Sequence, residues 1–382
     1  MKKYFTSIVV GVLIIVTLIW NNQQWFFRPT PSAIKDEPPS NSSGDKIPQA
    51  PSAPEVLADH LSIPWEISFL PGGKFLVTER PGRLLLIDDK RTVIQVEGVA
   101  HRGEGGLLGL VLHPNFEKNH FFYLYLTTAS SGGLTNRVER YQLDGTTLKD
   151  RKVIIEGIPG ASNHDGGRLS FGPDGMLYIT TGDAQKSDNA QNINSLAGKI
   201  LRVTEDGGVP KDNPFGNAVY SYGHRNVQGI AWDAQGRLWA TEHGRSGVQS
   251  GLDELNQIQK GANYGWPTIQ GDETKEGMMR SVLHSGPKET WAPSGMMIAG
   301  NRILFAGLRG ESLYSATITD DGKATLLKAY FRRTYGRLRT VSQGPDGMLY
   351  ILTSNRDGRG SPVAEDDRII RIDPTQLGIE LK

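Results

Sequence analysis

Five consecutive residues, His164-Asp-Gly-Gly-Arg168, are hard to explain by folding alone. An imidazole, a carboxylate, two glycines and a guanidinium stand just before an apolar run of strand length. Imidazole titrates near neutral pH and serves as a general base. Paired glycines let a backbone approach a ligand closely. The competing account is a polar loop whose histidine caps a turn. Four further stretches raise the same question. Gly103-Glu-Gly-Gly-Leu-Leu-Gly109 either bulges a strand or aims Glu104 into a pocket. Tyr222 to Gly229 gathers Arg225, Asn226 and Gln228 near one strand start, where a solvated turn is the plain alternative. Thr241 to Arg245, Asp253-Glu254 and Asn263-Tyr-Gly-Trp-Pro267 combine carboxylates with glycine-rich backbone. Such oxygens suit Ca²⁺, although the spacing is not that of an EF-hand loop. Arg337 and Arg339 fall on one face of a strand, where like charges repel unless an anion sits between them. Two solvated surface arginines are the commoner case.

These residues need a scaffold, and the sequence supplies a repeating one. Leu70-Pro-Gly-Gly leads into Lys-Phe-Leu-Val-Thr, a turn followed by a strand. The pattern returns at Gly172-Pro-Asp-Gly175, at Asp233-Ala-Gln-Gly236 and at Gly344-Pro-Asp-Gly347, each before an apolar, β-branched run. Weaker copies are His113-Pro-Asn-Phe116 before Phe121 to Thr127, and Gly307-Leu-Arg-Gly310 before Leu313 to Thr317. The six copies start roughly 40–70 residues apart, the range of propeller blades with insertions. Helical periodicity is weak throughout. The expected fold is all-β: a six-bladed propeller of four-stranded antiparallel blades. A β-sandwich would leave the recurrent Pro-Asp-Gly turn unexplained.

The domain itself is assigned to residues 55–382. Ahead of it, Lys2 and Lys3 precede an uncharged run that lasts until Arg28. That is long enough for one membrane-spanning helix, so 1–27 are read as a signal anchor with a cytoplasmic N-terminus. Cleavage as a signal peptide is the alternative, but the bulky, polar segment Asn21 to Phe27 offers no small-x-small site. Residues 28–54 carry seven prolines among Ser, Asn and Gly, the composition of an extended linker. The propeller is therefore expected outside the cytoplasmic membrane, in the periplasm or at the cell exterior, touching the membrane through its N-terminal helix alone. A net charge of +1 gives no reason to expect nucleic acid as a partner. With no cysteine in the chain, any metal must be held by oxygen or imidazole.

Taken in order, these stretches resemble the soluble quinoprotein sugar dehydrogenases, which use pyrroloquinoline quinone (PQQ), and most closely the aldose sugar dehydrogenase branch. The resemblance covers about residues 55–375. It rests on Gly103 to Phe116, His164-Asp-Gly-Gly-Arg-Leu169, Ala197-Gly-Lys-Ile-Leu-Arg202 and Pro210-Lys-Asp-Asn-Pro214. It continues through Gly223-His-Arg-Asn-Val-Gln-Gly229, Glu242-His-Gly244, Asp253-Glu254, Asn263 to Pro267 and Arg337-Leu-Arg339. It implies a six-bladed propeller with PQQ over its axis and His164 as the general base that takes the proton of the anomeric hydroxyl. Arg225 and Asn226 would hold the quinone oxygens, and Arg309, Arg337 and Arg339 would clamp the PQQ carboxylates, with Glu104 beside them. Backbone carbonyls of Gly244 and Arg245 would hold one Ca²⁺; the Glu254 side chain and the Tyr264 carbonyl would hold a second, structural one. The implied partners are a sugar substrate and a soluble or membrane electron acceptor.

The chain departs from the family pattern in places. Glu104 stands where Gln is frequent, Arg309 where Lys is, Arg245 where Pro is usual and Thr340 where Asp is common. The loop Ser246 to Leu252 is also longer. Trp291 is a candidate for stacking on a sugar, against an exposed loop position. Two rival functions share the fold: a Ca²⁺-dependent lactonase, with the metal held on the axis by carboxylates, and a non-catalytic propeller that binds glycan or protein.

Overall fold

The computed structural model describes residues 53–247 and 250–380. The expected anchor, 1–27, and nearly all of the 28–54 linker lie outside the described residues. Among the described residues no helix is long and apolar enough to cross a membrane.

The apolar runs flanked by Gly and Pro become strands, arranged as six four-stranded antiparallel sheets. Blade 1 is β2 to β5 (Pro64–Phe69, Phe75–Glu79, Arg83–Ile87, Arg91–Gln95), and blade 2 is β6 to β9 (Leu107–Leu112, Phe121–Ser130, Gly133–Asp144, Thr147–Pro159). Blade 3 is β10 to β13 (Leu169–Phe171, Leu177–Thr180, Lys199–Val203, Val219–Tyr222). Blade 4 is β14 to β17 (Val227–Trp232, Leu238–Glu242, Glu254–Ile258, Leu283–His284). Blade 5 is β18 to β21 (Pro293–Ala299, Arg302–Gly307, Ser312–Ile318, Ala324–Tyr330). Blade 6 is β22 to β24 (Leu338–Gln343, Leu349–Thr353, Ile369–Ile372), completed by β1 (Glu55–Ala58). The first strand of the domain thus clasps the last blade, Glu55 opposite Arg371 and Val56 opposite Ile370, and closes the ring. Closure removes the free edges that an open stack of blades would expose.

Burial follows from stacking. Second strands are covered on both faces, as in Leu177–Thr180 and Leu349–Thr353, whose residues are all buried. The outermost strand of blade 1, Arg91–Gln95, is mostly exposed. The apolar core divides into six clusters, one in each seam between neighbouring blades. One joins Tyr123 and Tyr125 of blade 2 to Leu177 and Ile179 of blade 3, and another joins Ile67 and Val77 of blade 1 to Leu352 and Ile369 of blade 6.

The recurrent turn proves to be a lock. Asp174 accepts from the Met176 N–H at 3.1 Å, from the Tyr178 hydroxyl at 3.0 Å and from Arg202 Nε at 2.9 Å. Asp346 does the same for Met348, Tyr350 and Arg371 at 3.1, 3.1 and 2.8 Å. One carboxylate therefore caps the turn between the first two strands and pins a side chain on each of the second and third. Asp233 accepts from the Gln235 N–H at 3.0 Å, from Arg237 Nε at 2.6 Å and from Trp239 Nε1 at 2.9 Å. Five of the six sequence copies fall between first and second strands. The copy at Gly307 to Gly310 does not: it links the second and third strands of blade 5. The equivalent turn there is the two-residue Gly300-Asn301 hairpin, with Ala299 paired to Arg302. Two residues leave no room for a Pro-Asp-Gly signature.

At the axis the innermost strands carry polar groups. Arg168, at the start of β10, is buried. Its Nε donates to the Gln228 carbonyl at 2.8 Å and its Nη1 to Thr340 Oγ1 at 3.3 Å; it pairs with Glu66 and lies 4.1 Å over Trp65. One side chain of blade 3 thus touches blades 1, 4 and 6.

Asp233→Ala would leave the fully buried Trp239 N–H and the Arg237 guanidinium without their acceptor. It is expected to cost about 2–3 kcal/mol, read as a lowered denaturant midpoint at unchanged m-value. A loss below about 0.5 kcal/mol would show that the lock is decorative.

Candidate active site

In an antiparallel blade the start of the first strand and the end of the second lie at the same rim. Nearly every residue singled out from the sequence comes from one of these two places. Glu104, His164 and Arg225 precede first strands; Gly244, Arg245 and Arg309 follow second strands; Arg337 and Arg339 border the start of β22. Together they line one cavity of about 470 Å³, the size range of a cofactor pocket. Asn226 lies buried beside it, its Oδ1 accepting from the Gly166 N–H at 3.0 Å and its Nδ2 without a partner among the described residues. Glu254 and Tyr264 are not part of this cavity.

His164 sits in the left-handed region, φ 66°, and is one-sixth exposed at 17%. Its Nδ1 meets Asp183 Oδ1 at 2.8 Å. Asp183 also accepts from the Gln185 N–H at 2.8 Å and, through Oδ2, from Trp266 Nε1 at 2.9 Å. Ala184 and Gln185, which follow, have φ of 53° and 59°. Three non-glycine residues in this sparsely populated region mark a backbone held in place by its surroundings, as at ligand sites. With Nδ1 engaged by a carboxylate, Nε2 is the nitrogen left for the cavity.

The paired glycines do a different job from the one expected. A Cβ on Gly166 would lie 2.5 Å from Thr181 Cα, and one on Gly167 would lie 2.8 Å from the Leu108 side chain. Both have positive φ, 64° and 108°. They let the loop pack onto its own hairpin and onto blade 2, rather than bringing backbone to a ligand. Asp165 points away from His164: its Oδ1 accepts from Asn136 Nδ2 at 3.0 Å and from the Ala161 N–H at 3.1 Å.

The arginines are answered unevenly. Arg337 gives Nε and Nη2 to Asp357 at 3.0 and 2.8 Å, and Arg339 Nη2 lies 3.8 Å from the same carboxylate. The anion between the two is therefore already in the chain. Arg339 also donates to Gln228 Oε1 at 2.9 Å, while its buried Nε has no partner among the described residues. Burial, with Arg80 nearby, pulls Arg339 down to about 9. Arg359 reaches Glu104 Oε1 and Asn163 Oδ1, each at 2.5 Å. Burial would raise the Glu104 carboxyl, but the His243 imidazole when charged, the Arg359 charge and the His164 N–H, 2.9 Å from Oε2, hold it below the usual carboxylate range. The extra negative charge of Glu104 is thus neutralised by a residue far along the chain. Arg225 is held by Ser246 Oγ at 2.7 Å and lies 5.4 Å over Trp266, and Arg309 donates to Ser250 Oγ at 2.8 Å. His243 is pulled down to about 4 by burial, so it is neutral at neutral pH, and its Nε2 lacks a partner among the described residues.

The oxygen-rich stretches divide. Asp253 is fully used: Oδ1 accepts from the Gly244 N–H at 2.8 Å, and Oδ2 from Thr290 Oγ1, Trp291 N and Ala292 N at 2.7, 2.7 and 2.9 Å. The Arg245 carbonyl accepts from the Gly251 N–H at 3.3 Å. A Cβ on Gly244 would lie 2.3 and 2.2 Å from the carbonyl oxygens of Gly251 and Leu252, so only glycine admits this crowding of oxygens. Glu254 stands directly opposite Glu242 across β15 and β16. Burial and that facing carboxylate push Glu254 up to about 8, an environment that a cation would relieve. Among the described residues no set of three His, Asp or Glu side chains converges on one point.

Trp291 is neither exposed nor at the cavity. It is buried in the seam between blades 4 and 5 against Phe305 and Tyr314, because its segment enters β18. The aromatic at the site is Trp266. The unexpected participants are Asp183, Trp266, His243, Asp357 and Arg359. Asp183 had a local signal: the hairpin turning at Pro173 to Gly175 brings residue 164 opposite 184. Arg359 had none, since its partners Glu104 and Asn163 lie 255 and 196 positions away; Asp357 meets Arg337 from 20 positions along the same blade, in a stretch that carries no motif.

This rim of base, buried cations and unpartnered donors has counterparts of known kind. The chain matches the Glucose / Sorbosone dehydrogenase family over residues 61–370. The chain belongs to that family. It is 32% identical to the aldose sugar dehydrogenase YliI of Escherichia coli (strain K12), over 80% of this chain and 90% of that one. To the quinoprotein glucose dehydrogenase B of Acinetobacter calcoaceticus it is 32% identical over 65% and 59%. The PQQ-bound aldose sugar dehydrogenase of Streptomyces coelicolor superposes with a TM-score of 0.77 at 41% identity, covering 85% of this chain and 99% of that one.

Asp165 yields a pH prediction. Its carboxyl is pushed up to about 6 by burial, despite the donors from Asn136 and Ala161. A folded pKa above the unfolded value favours the native state at low pH, and this contribution is lost as pH rises from about 4 to about 6. Asp165→Asn keeps the accepting oxygen and removes the charge. Relative to wild type, it should be about 2 kcal/mol more favourable at pH 8 than at pH 4, read from denaturant midpoints. An equal difference at both pH values would refute the assignment.

Proposed function

We propose that this protein oxidises an aldose at its anomeric carbon to the lactone, with PQQ as the hydride acceptor and Ca²⁺ as its Lewis acid. The observation that carries the reading is His164, locked by Asp183 on one nitrogen and open to the arginine-lined cavity on the other. The cavity fits a polycarboxylate quinone: Arg339 Nε and, beside the cavity, Asn226 Nδ2 are buried donors lacking partners among the described residues, and each such group calls for an acceptor. When bound, PQQ supplies a quinone that takes the hydride, and Ca²⁺ polarises its carbonyl.

The chain's own residues do the rest. Asp183 accepts the His164 Nδ1–H, which fixes the tautomer and leaves a lone pair on Nε2. Nε2 takes the proton of the anomeric hydroxyl as the hydrogen on that carbon leaves as hydride, and Asp183 stabilises the resulting imidazolium. Arg225 and Asn226 would hold the acceptor's oxygens and stabilise the negative charge that grows on them. Arg309, Arg337 and Arg339 orient the acceptor by its carboxylates. Trp266 and the Arg225 plane offer a flat wall to the sugar. Gly244, with Arg245, is assigned to the Ca²⁺ beside the cavity, and Glu254 with the Tyr264 carbonyl to a structural Ca²⁺. The lactonase alternative asks for a cation on the axis, and the axis here already carries the Arg168 guanidinium. The reading extends to location: residues 1–27 as an anchor that holds the propeller outside the cytoplasmic membrane.

The test is reconstitution with PQQ and Ca²⁺, followed by dye reduction with a panel of aldoses. Wild type should turn over and lose activity to a chelator. His164→Gln keeps size and hydrogen bonding but not basicity. Its turnover should fall by about 10²–10⁴, with PQQ affinity by calorimetry close to wild type. Wild-type turnover in a PQQ-loaded His164→Gln protein would remove His164 from the mechanism.

A further inference from the structure

Beside the main cavity lies a second lobe of about 420 Å³, walled by His164, Asp183, Ser187, Arg225, Arg245 and Trp266. Arg309, Arg337 and Arg339 line the larger cavity and not this one. The lobe therefore has the base and an aromatic face, but not the cluster assigned to the cofactor carboxylates. It is the space left for the sugar.

Its electrostatics are one-sided. The lobe contains one carboxylate, Asp183, and that group is committed to His164, the Gln185 N–H and Trp266. Arg225 is met by neutral acceptors, Ser246 Oγ at 2.7 Å and the His243 carbonyl at 3.4 Å. Arg245 makes no ion pair with any described residue, and its Nε is buried without a partner among them. Elsewhere at the rim the chain answers its cations: Arg337 has Asp357 and Arg359 has Glu104. Arg245 is also a position at which the chain departs from the family pattern. A guanidinium half out of water with nothing to pair it is a fork set for a carboxylate or phosphate.

We propose that the substrate is an anionic aldose, a sugar that carries a carboxylate or phosphate remote from its anomeric carbon and places that group on Arg245. This rests on the dehydrogenase reading above. With the anion on Arg245, the sugar ring lies along Trp266 and the anomeric hydroxyl meets His164 Nε2. The oxidation itself is unchanged: the anomeric hydroxyl loses its proton to His164 and its carbon loses hydride to the quinone. Neutral sugars lack the anchor, so they are bound more weakly and oriented less well.

The experiment compares D-glucose, D-glucuronate and D-glucose 6-phosphate as substrates of the reconstituted protein at low ionic strength, in wild type, Arg245→Met and Arg245→Lys. One of the two anions should exceed glucose in kcat/KM by about 10-fold or more, and which one does tells carboxylate from phosphate. Arg245→Met should cut that ratio by about 10–100-fold, the worth of one charged hydrogen bond, and Arg245→Lys should restore part of it. A second readout needs no turnover: calorimetry of the PQQ-loaded protein with methyl glucuronoside, or with methyl glucoside 6-phosphate, against methyl glucoside. Binding of one of the two anionic glycosides should depend on Arg245. Equal kcat/KM for neutral and anionic sugars, or a ratio unmoved in Arg245→Met, would overturn the proposal while leaving the dehydrogenase reading intact. Arg245-dependent binding of an anionic glycoside, with no sugar oxidised by wild type, would instead keep the anion site and sink the dehydrogenase reading.

Discussion

A guanidinium taken out of water has to be answered by an acceptor, and the axis of this propeller holds several of them. Arg168 is met by Glu66, the Gln228 carbonyl and Thr340, and stacks on Trp65. Arg339 is met by Gln228 Oε1, with Asp357 close by. These contacts join blades 1, 3, 4 and 6 through polar groups that cannot slide past one another without stranding a buried charge. Stranding one partner of such a pair costs about 3–5 kcal/mol. The apolar seams hold neighbouring blades together; the axial cations fix how the ring closes, and so the floor on which the cavity rests.

Above that floor the same chemistry is left deliberately incomplete. Arg337 gives Nε and Nη2 to Asp357, and Arg359 is tied to Glu104, so these cations are partly answered inside the chain. Arg339 Nε and Asn226 Nδ2 have no partner among the described residues. Unpaired buried donors occur elsewhere in the fold too, as at Arg140 Nε and Gln376 Nε2, but at the rim they stand beside a cavity that an outside acceptor can enter. The strained turn at Ala184 and Gln185 has the same logic: left-handed φ at two non-glycine residues is sustained because it keeps the Asp183 carboxylate against His164.

Much of the fold was legible because its signals are local. Pro-Asp-Gly turns before apolar runs announce hairpins, and each Asp then proves to be a cap and a cross-strand lock at once. Blade 5 hid its hairpin because a two-residue Gly-Asn turn carries too little sequence to be counted as a copy. At the site, His164, Arg225 and the Arg337–Arg339 pair were visible as residue types that folding alone does not explain. What they face was not. Arg359 reaches Glu104 across 255 positions, from a blade closed only when the ring is complete, and Asp357 meets Arg337 from a loop 20 positions further along the same blade. Trp291 and Trp266 show the limit from the other side: the same residue type in two loops, one entering a strand and buried in a seam, the other walling the lobe beside His164.

The central claim is that the buried, unsatisfied donors at the rim are completed by an anionic quinone. The most direct measurement is a calorimetric titration of the purified protein with PQQ in the presence of Ca²⁺, for wild type and Arg339→Ala. The account predicts saturable binding by wild type and an affinity about 10–100-fold weaker in Arg339→Ala, the effect of removing one charged hydrogen-bond donor. Equal affinities in the two proteins, or no binding by wild type, would contradict it.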